Sequence, residues 1–147
     1  AYPLVEDGIA QAILAVGAEA LGAMDVLLAQ TVEYTKTREQ FGQPISNFQA
    51  LQHRMADMYL DCESLRSLLY YACIARDENR ADKLQAASAL KVKVGDDGRF
   101  VSQQAVQLHG GIGMTDELGI GHYFKRLLLL NSLFGDSEHH VQRYIDA

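Results

Sequence analysis

The sequence predicts an all-helical fold, an antiparallel up-and-down bundle of three long helices, a shorter fourth and a short extra C-terminal helix. Three observations predict it. Only two prolines occur, Pro3 and Pro44, so long stretches are free of the residue that breaks helices. Apolar residues recur at three and four positions rather than at two, which puts them on one face of a helix and not of a strand. The breaks that remain, around residues 37–44, 77–82 and 110–115, are separated by helix-length intervals.

Residues 5–37 form the first expected helix, with Ile9, Ile13, Val16, Ala20, Ala23, Leu27 and Gln30 on one face. Its many Ala and Gly residues imply close packing against neighbours. Gly42 and Pro44 cannot continue it, so residues 37–44 turn the chain back. Ser46 followed by Gln49 has the form of a capping box and is the expected start of helix two. There Phe48, Leu51, Met55, Met58, Cys62, Leu65 and Leu69 keep a 3,4 spacing, a seam for antiparallel partners, up to about Arg76. After a polar turn at residues 77–82, a third helix is expected over residues 83–108, carrying Ala86, Leu90, Val94, Val101, Ala105 and Leu108 and stopped by Gly110 and Gly111. A loop leads to a fourth helix from Glu117 or Leu118 to Leu133. Phe134 and Gly135 break it, and Asp136 or Ser137 can cap a last helix ending near Tyr144.

Bulk properties exclude several classes of function. The chain has 147 residues, the size of one domain, taken here as a single unit over residues 1–147. A formal charge of -6 with scattered Lys and Arg does not suit a phosphate backbone, so nucleic acid is not an expected partner. The aliphatic run at residues 127–130 is too short to cross a bilayer, and no basic-then-apolar leader opens the chain, which predicts no membrane span and no secretion. Cys62 and Cys73 lie on one expected helix, roughly 16 Å apart by helical rise, too far to pair. Two free thiols fit a reducing compartment. A start at Ala1 without Met suggests a fragment or a processed product.

Chemistry has to come from the irregular places. At Arg38-Glu39-Gln40-Phe41-Gly42 a permanent cation stands beside an aromatic and a glycine at a helix end. It can grip a phosphate while Phe41 covers a ring surface; equally, Arg38 can offset the helix dipole and Phe41 staple the turn. Gln107-Leu108-His109-Gly110-Gly111-Ile112-Gly113 lets backbone approach a bulky ligand, or is simply a helix stop and a loop. No strand precedes it and its spacing is wrong for a dinucleotide-binding turn.

In order and separation these two segments resemble the C-terminal domain of the acyl-CoA dehydrogenase family. The residues that carry the resemblance are Thr37 to Ile45, Phe48-Gln49 and Met55-Ala56-Asp57-Met58 for the first region, and Ala105 to Gly113 for the glycine signature. It extends over essentially the whole chain. The resemblance implies an all-α domain of a larger FAD-dependent subunit, built into homo- or hetero-oligomers, dimers or tetramers, acting on an acyl-CoA and passing electrons to a further protein. It implies that Arg38 binds the FAD pyrophosphate of a neighbouring subunit and that Phe41 packs beside the adenosine half. Gln107, Gly110 and Gly111 would line the other side, and Gln40, Gly42, His109, Gly113 and Ser137 complete the implied cofactor set. The bacterial cytoplasm, rather than the mitochondrial matrix, is the implied location.

The family's reaction removes an α-proton with a carboxylate and a β-hydride with the flavin. Its base commonly sits in an aromatic-Glu-Gly-Thr sequence, and Phe134-Gly135-Asp136-Ser137 departs from that. Matching the aromatic and hydroxyl residues puts Gly135 at the Glu position and leaves no base. Matching the acid instead gives Asp136, one methylene shorter, which also suits a helix N-cap. The alternative base position on the first helix is Ala12. A Leu run at residues 127–130 also replaces a common Arg-Asp pair. These departures suit the divergent bacterial subunits that work in heteromeric pairs. The rival from another class is a non-catalytic helical subunit. A di-iron bundle lacks its Glu-x-x-His pairs, and the adjacent His139 and His140 face different sides, so no metal is expected.

Overall fold

Helix α1 (Tyr2–Thr37) begins three residues before the expected start. Pro3 lies in its first turn, where a missing N–H has no helical partner to lose. The computed structural model describes residues 2–115 and 119–147. After α1 come α2 (Gln49–Asp77), α3 (Lys83–His109), α4 (Ile120–Ser132) and α5 (Ser137–Asp146). The expected start of the fourth helix at Glu117 or Leu118 lies outside the described residues.

α3 is the axis of the bundle and packs on α1, α2, α4 and α5. Its predicted face, Ala86, Leu90, Val94, Val101, Ala105 and Leu108, is buried, as are Met58, Cys62, Leu65 and Leu69 of α2. On α1 the predicted face is buried from Ile13 to Leu27, but Gln30 is exposed. Glycine sets the closeness of the helices: a Cβ on Gly17 would stand 2.7 Å from Leu90 Cδ2. By length and apolar composition alone α1 could cross a membrane; here its Ala20, Met24 and Leu27 lie in the bundle core. Burial pushes the Cys62 thiol up to about 12, so it stays protonated at neutral pH.

Two connections differ from the reading of the sequence. Arg38 to Ile45 is a hairpin rather than a plain turn, with β1 (Glu39–Gln40) antiparallel to β2 (Gln43–Pro44). Phe41 (φ 56) and Gly42 (φ 78) form its tip, both in the left-handed region that a tight two-residue hairpin turn demands. The Ser46–Gln49 capping box does not form. Ile45–Asn47 is one 3-10 turn, Phe48 is the N-cap without a side-chain hydrogen bond, and the Ser46 carbonyl accepts from Gln52 Nε2 at 2.9 Å. Pro44 leads straight into that turn, so the backbone is already coiled where the cap was expected. At the far end of α2, Asn79 (φ 51) closes the helix: Arg80 N–H reaches Ala75 O at 2.8 Å and Asn79 N–H reaches Arg76 O at 2.9 Å.

α4 and α5 together make the fourth rod of the bundle, bent at residues 133–136. Asp136 is the N-cap of α5, accepting from His139 N–H at 2.9 Å.

Candidate functional site

At the end of the bundle where α1 and α3 finish, a cleft of about 480 Å³ is lined by Tyr34, Arg38, Gln40, Ile45 and the turn from Gln107 to Ile112. The two segments singled out in the sequence, sixty-odd residues apart, thus share one cavity. The hairpin holds Arg38 there: its N–H bonds to Tyr34 O at 2.9 Å, and its carbonyl accepts from Ile45 N–H at 2.8 Å. Its backbone is therefore fixed while its side chain is exposed.

Among the described residues the Arg38 guanidinium has no hydrogen-bond or ion-pair partner. Several other arginines tie helices together. Arg66 grips Asp25 with two contacts of 2.8 Å, Arg76 meets Asp7 at 3.0 Å and Arg143 meets Glu6 at 2.8 Å. Arg38 and the exposed Arg99 have no such carboxylate among the described residues, and of the two it is Arg38 that lines the cleft. A smaller cleft of about 280 Å³ at the opposite end is lined by Glu6 and Arg143, whose charges already satisfy each other.

The glycines divide by role. Gly110 adopts φ 63, ψ -143, a conformation essentially closed to residues with a Cβ. Among the described residues a Cβ on Gly110 or Gly111 would meet nothing within 4 Å. Gly113 is different: it is buried, and a Cβ there would stand 2.8 Å from Val106 O and from His109 Cβ. Its smallness serves packing inside the turn.

His109 is buried and lines the cleft wall, its ring stacked on Tyr34 with centroids 4.5 Å apart. Its Nδ1 donates to Ala105 O at 2.8 Å, which fixes the ring. Phe41 is 90% exposed at the hairpin tip, outside the cleft, touching only the edge of Phe48 among aromatic rings. A bulky aromatic held exposed at positive φ is conformationally costly. Such a side chain suits contact with another molecule.

Asp136 and Ser137 lie elsewhere. Ser137 Oγ is 3.2 Å from Asn131 Oδ1 and 3.4 Å from Val92 O, packed where a Cβ on Gly95 would collide with it. Gly95 precedes Gln107 by twelve residues on α3, roughly 18 Å of helical rise. So the structure gathers Arg38, Gln40, Gln107, His109, Gly110 and Gly111 at one cleft and puts Ser137 and Asp136 at another level of the bundle.

The residue that sequence reading missed is Lys91. It is 0% exposed, and its Nζ donates to Asn131 O at 2.6 Å and Gly135 O at 2.7 Å. Loss of water around the ammonium brings its pKa down to about 8, partly opposed by the Asp136 charge. Beside it His140, 1% exposed, bonds through Nε2 to Phe134 O at 2.8 Å and through Nδ1 to Ser88 Oγ at 3.2 Å. Burial lowers its pKa as well. Lys91 sits next to Leu90 on the apolar side of α3, but lysines at such positions normally reach for solvent, so periodicity alone gives no warning.

Comparison with known proteins bears on the whole chain. Residues 3–146 match the model of the acyl-CoA dehydrogenase C-terminal domain. The chain is 42% identical over 128 residues to the acyl-CoA dehydrogenase IpdE2 of Mycobacterium tuberculosis, covering 84% of this chain and 38% of that protein. The structure of PigA with FAD and proline superposes with a TM-score of 0.89 at 28% identity, covering 94% of this chain and 36% of that one. A chain of the ChsE4–ChsE5 complex from Mycobacterium tuberculosis superposes with a TM-score of 0.88 at 30% identity, covering 94% and 37%. This chain therefore spans well under half the length of the proteins it matches. With its helices, hairpin and glycine turn all inside the matched region, the chain belongs to the acyl-CoA dehydrogenase family.

Proposed function

We propose that this domain is the flavin-phosphate and assembly module of an acyl-CoA dehydrogenase subunit, working in α,β-dehydrogenation of an acyl-CoA thioester. The observation that carries this reading is the Arg38 guanidinium, unpaired among the described residues, across one cleft from Gly110 and Gly111, above which no described residue stands within 4 Å. A pyrophosphate needs a fixed cation and room for close approach of backbone, and both are present. The residues thus fit FAD. Arg38 would hold its phosphates, Gln40 and Gln107 would offer amides, Gly110 and Gly111 the surface against it, and Tyr34 with His109 the wall. Phe41, outward at the hairpin tip, would cover the adenosine side at the boundary with a second subunit, with Gly42 allowing the turn that presents it. Gly113 acts at one remove by shaping the turn. When bound, FAD supplies the hydride acceptor, which no side chain can replace.

The rest of the reading concerns assembly and the proton. The cleft lies open at the end of the bundle, which suits a ligand seated mainly on another domain or subunit. We place the protein in the bacterial cytoplasm as a homo- or hetero-oligomer, delivering electrons to a separate carrier. Asp136 is the candidate base in this chain. One of its oxygens caps α5 through His139 N–H, and that favours a second reading in which this subunit lacks a base and its partner supplies one. A related structure being a complex of ChsE4 with ChsE5 supports weighing that arrangement.

The test is made on the full-length subunit carrying this domain, co-expressed with its genomic neighbour. Bound flavin is expected by absorbance, and its absence under every preparation rejects the reading. Asp136→Asn should then abolish bleaching of the flavin by acyl-CoA if Asp136 takes the proton. Unchanged bleaching assigns the base to the partner subunit.

A further inference from the structure

The bend between α4 and α5 is held from inside by two buried bases. Three carbonyls around the bend, of Asn131, Phe134 and Gly135, are each taken: Lys91 Nζ donates to the first and third, His140 Nε2 to the second. A carbonyl can only accept, so His140 carries its proton on Nε2. Its Nδ1 is then free to accept from the Ser88 hydroxyl. His140 is the neutral tautomer, fixed at both nitrogens.

Asn131 lies in the last turn of α4, where carbonyls have no helical donor and carry the negative end of the dipole. Lys91 therefore caps α4 from another helix, with a charge-assisted bond rather than a neutral one. The captured carbonyls leave the chain little choice of path. Phe134 takes φ 59 and Gly135 φ 94, and Phe134 is pushed outward to 46% exposure. Gly135 cannot be replaced without collision, since a Cβ would stand 2.5 Å from His139 Cδ2 and 3.1 Å from His140 Nε2. Left-handed backbone at a bulky aromatic costs on the order of 1–2 kcal/mol and persists only where surroundings over-determine it.

Burying a lysine is itself expensive, and it has no ion pair within the described residues to offset the cost, only the more distant Asp136 charge. An apolar residue at position 91 would fit a bundle core better. The groups that face the pair are Ser88 from α3, Asn131 from α4, and Asp136, His139 and Arg143 at and after the start of α5.

We propose that Lys91 and His140 are positioning residues, a clamp that fixes the left-handed bend at Phe134 and Gly135 and thereby the placement of the Phe134 ring and the Asp136 carboxylate. The clamp itself needs no ligand, but its consequence for catalysis rests on the dehydrogenase reading above.

The experiment uses the full-length subunit with its partner, as wild type, Lys91→Met and Lys91→Arg. Hydrogen exchange followed by mass spectrometry is read on the peptide spanning residues 132–139, and flavin bleaching by acyl-CoA on the same samples. Lys91→Met should speed exchange in that peptide at least tenfold and leave exchange in α1 unchanged. Flavin content should hold, because residue 91 is roughly 24 Å along α3 from Gln107. Bleaching should slow at least tenfold, with partial recovery in Lys91→Arg. Unchanged exchange at residues 132–139 overturns the clamp. Faster exchange with bleaching at the wild-type rate overturns its positioning role. A subunit that never binds flavin, yet shows selectively faster exchange, supports the clamp while the dehydrogenase reading fails. Should Lys91→Met unfold the domain, Ser88→Ala is read instead: it removes only the partner of His140 Nδ1. Selective loosening of the same peptide supports the clamp and its absence overturns it.

Discussion

The two ends of α3 treat polar groups in opposite ways. Where α3 finishes, Arg38, Gln40 and Gln107 stand exposed around an open cleft, and the guanidinium has no partner among the described residues. Further back, at the level of Lys91 and His140, the polar groups are buried and engaged, each base on a main-chain carbonyl. Unsatisfied polarity in the open costs little because water serves it, whereas unsatisfied polarity in the core costs about 1–3 kcal/mol per group. An open cation is free to meet another molecule, as proposed for Arg38, and a buried, satisfied one points to a backbone that must be held. Three measurements on the full-length subunit bear on that contrast.

The largest effect belongs to the buried end. The Lys91 pKa is about 8 in the fold against about 10.5 when unfolded. Between those values the unfolded chain holds a proton that the folded chain has released, so stability rises with pH. The gain is on the order of 3 kcal/mol across the window. Lys91→Met has no such proton. Its melting temperature should therefore fall further behind wild type as pH rises from 8 to 10.5, and parallel curves would show that burial does not lower the Lys91 pKa. His140 works at the other side of neutrality. Its lowered pKa means that acidification below about 6.5 favours the unfolded chain, which takes up a proton that the folded ring resists.

The second effect separates two glycines in one turn. Gly113→Ala puts a methyl 2.8 Å from the Val106 carbonyl, a main-chain atom that cannot swing away. It should cost about 1–3 kcal/mol. Gly111→Ala meets nothing within 4 Å among the described residues, so its stability should be unchanged while flavin retention weakens, because the new methyl stands where the ligand is proposed to lie. Equal melting temperatures for the two variants would refute the division of roles.

How much of this was legible in the sequence follows the same line. The helices and their faces were, because an apolar seam such as Met58, Cys62, Leu65 and Leu69 has the helical period whatever surrounds it. Arg38 and the glycine turn stood out because Gly and a cation at helix ends are locally unusual. Their meeting in one cleft came from tertiary packing, which spacing does not encode. The hairpin was missed because Phe41 is a poor left-handed residue, and propensity argues against it until pairing of Glu39–Gln40 with Gln43–Pro44 forces the turn. Ser46 looked like a cap, but the 3-10 turn after Pro44 took its place. Lys91 was invisible because a lysine beside a core leucine normally extends to water. Only the carbonyls of Asn131 and Gly135, supplied forty or more residues downstream, give it a reason to stay.

Arg38, like Gly111, should show almost no change in stability. Its side chain is exposed and holds no other residue, so Arg38→Ala should shift the melting temperature of the flavin-free subunit hardly at all, within about 0.5 kcal/mol. If Arg38 holds the flavin phosphates as proposed, the same substitution in the cofactor-bound assembly removes a charge-assisted contact, about 1.5–3 kcal/mol. That corresponds to roughly a tenfold to hundredfold loss of flavin affinity, since 1.4 kcal/mol is tenfold. Arg38→Lys should recover only part of it, because a point charge replaces a planar fork. The pairing of the two results is what discriminates. An arginine that served the helix dipole would lower stability with and without flavin alike, whereas an arginine kept for a ligand is silent until the ligand arrives. Titrating FAD into the flavin-free variant and following its melting temperature reads both quantities in one series. A variant that matches wild type at every flavin concentration would remove Arg38 from the site and leave the cleft without its cation.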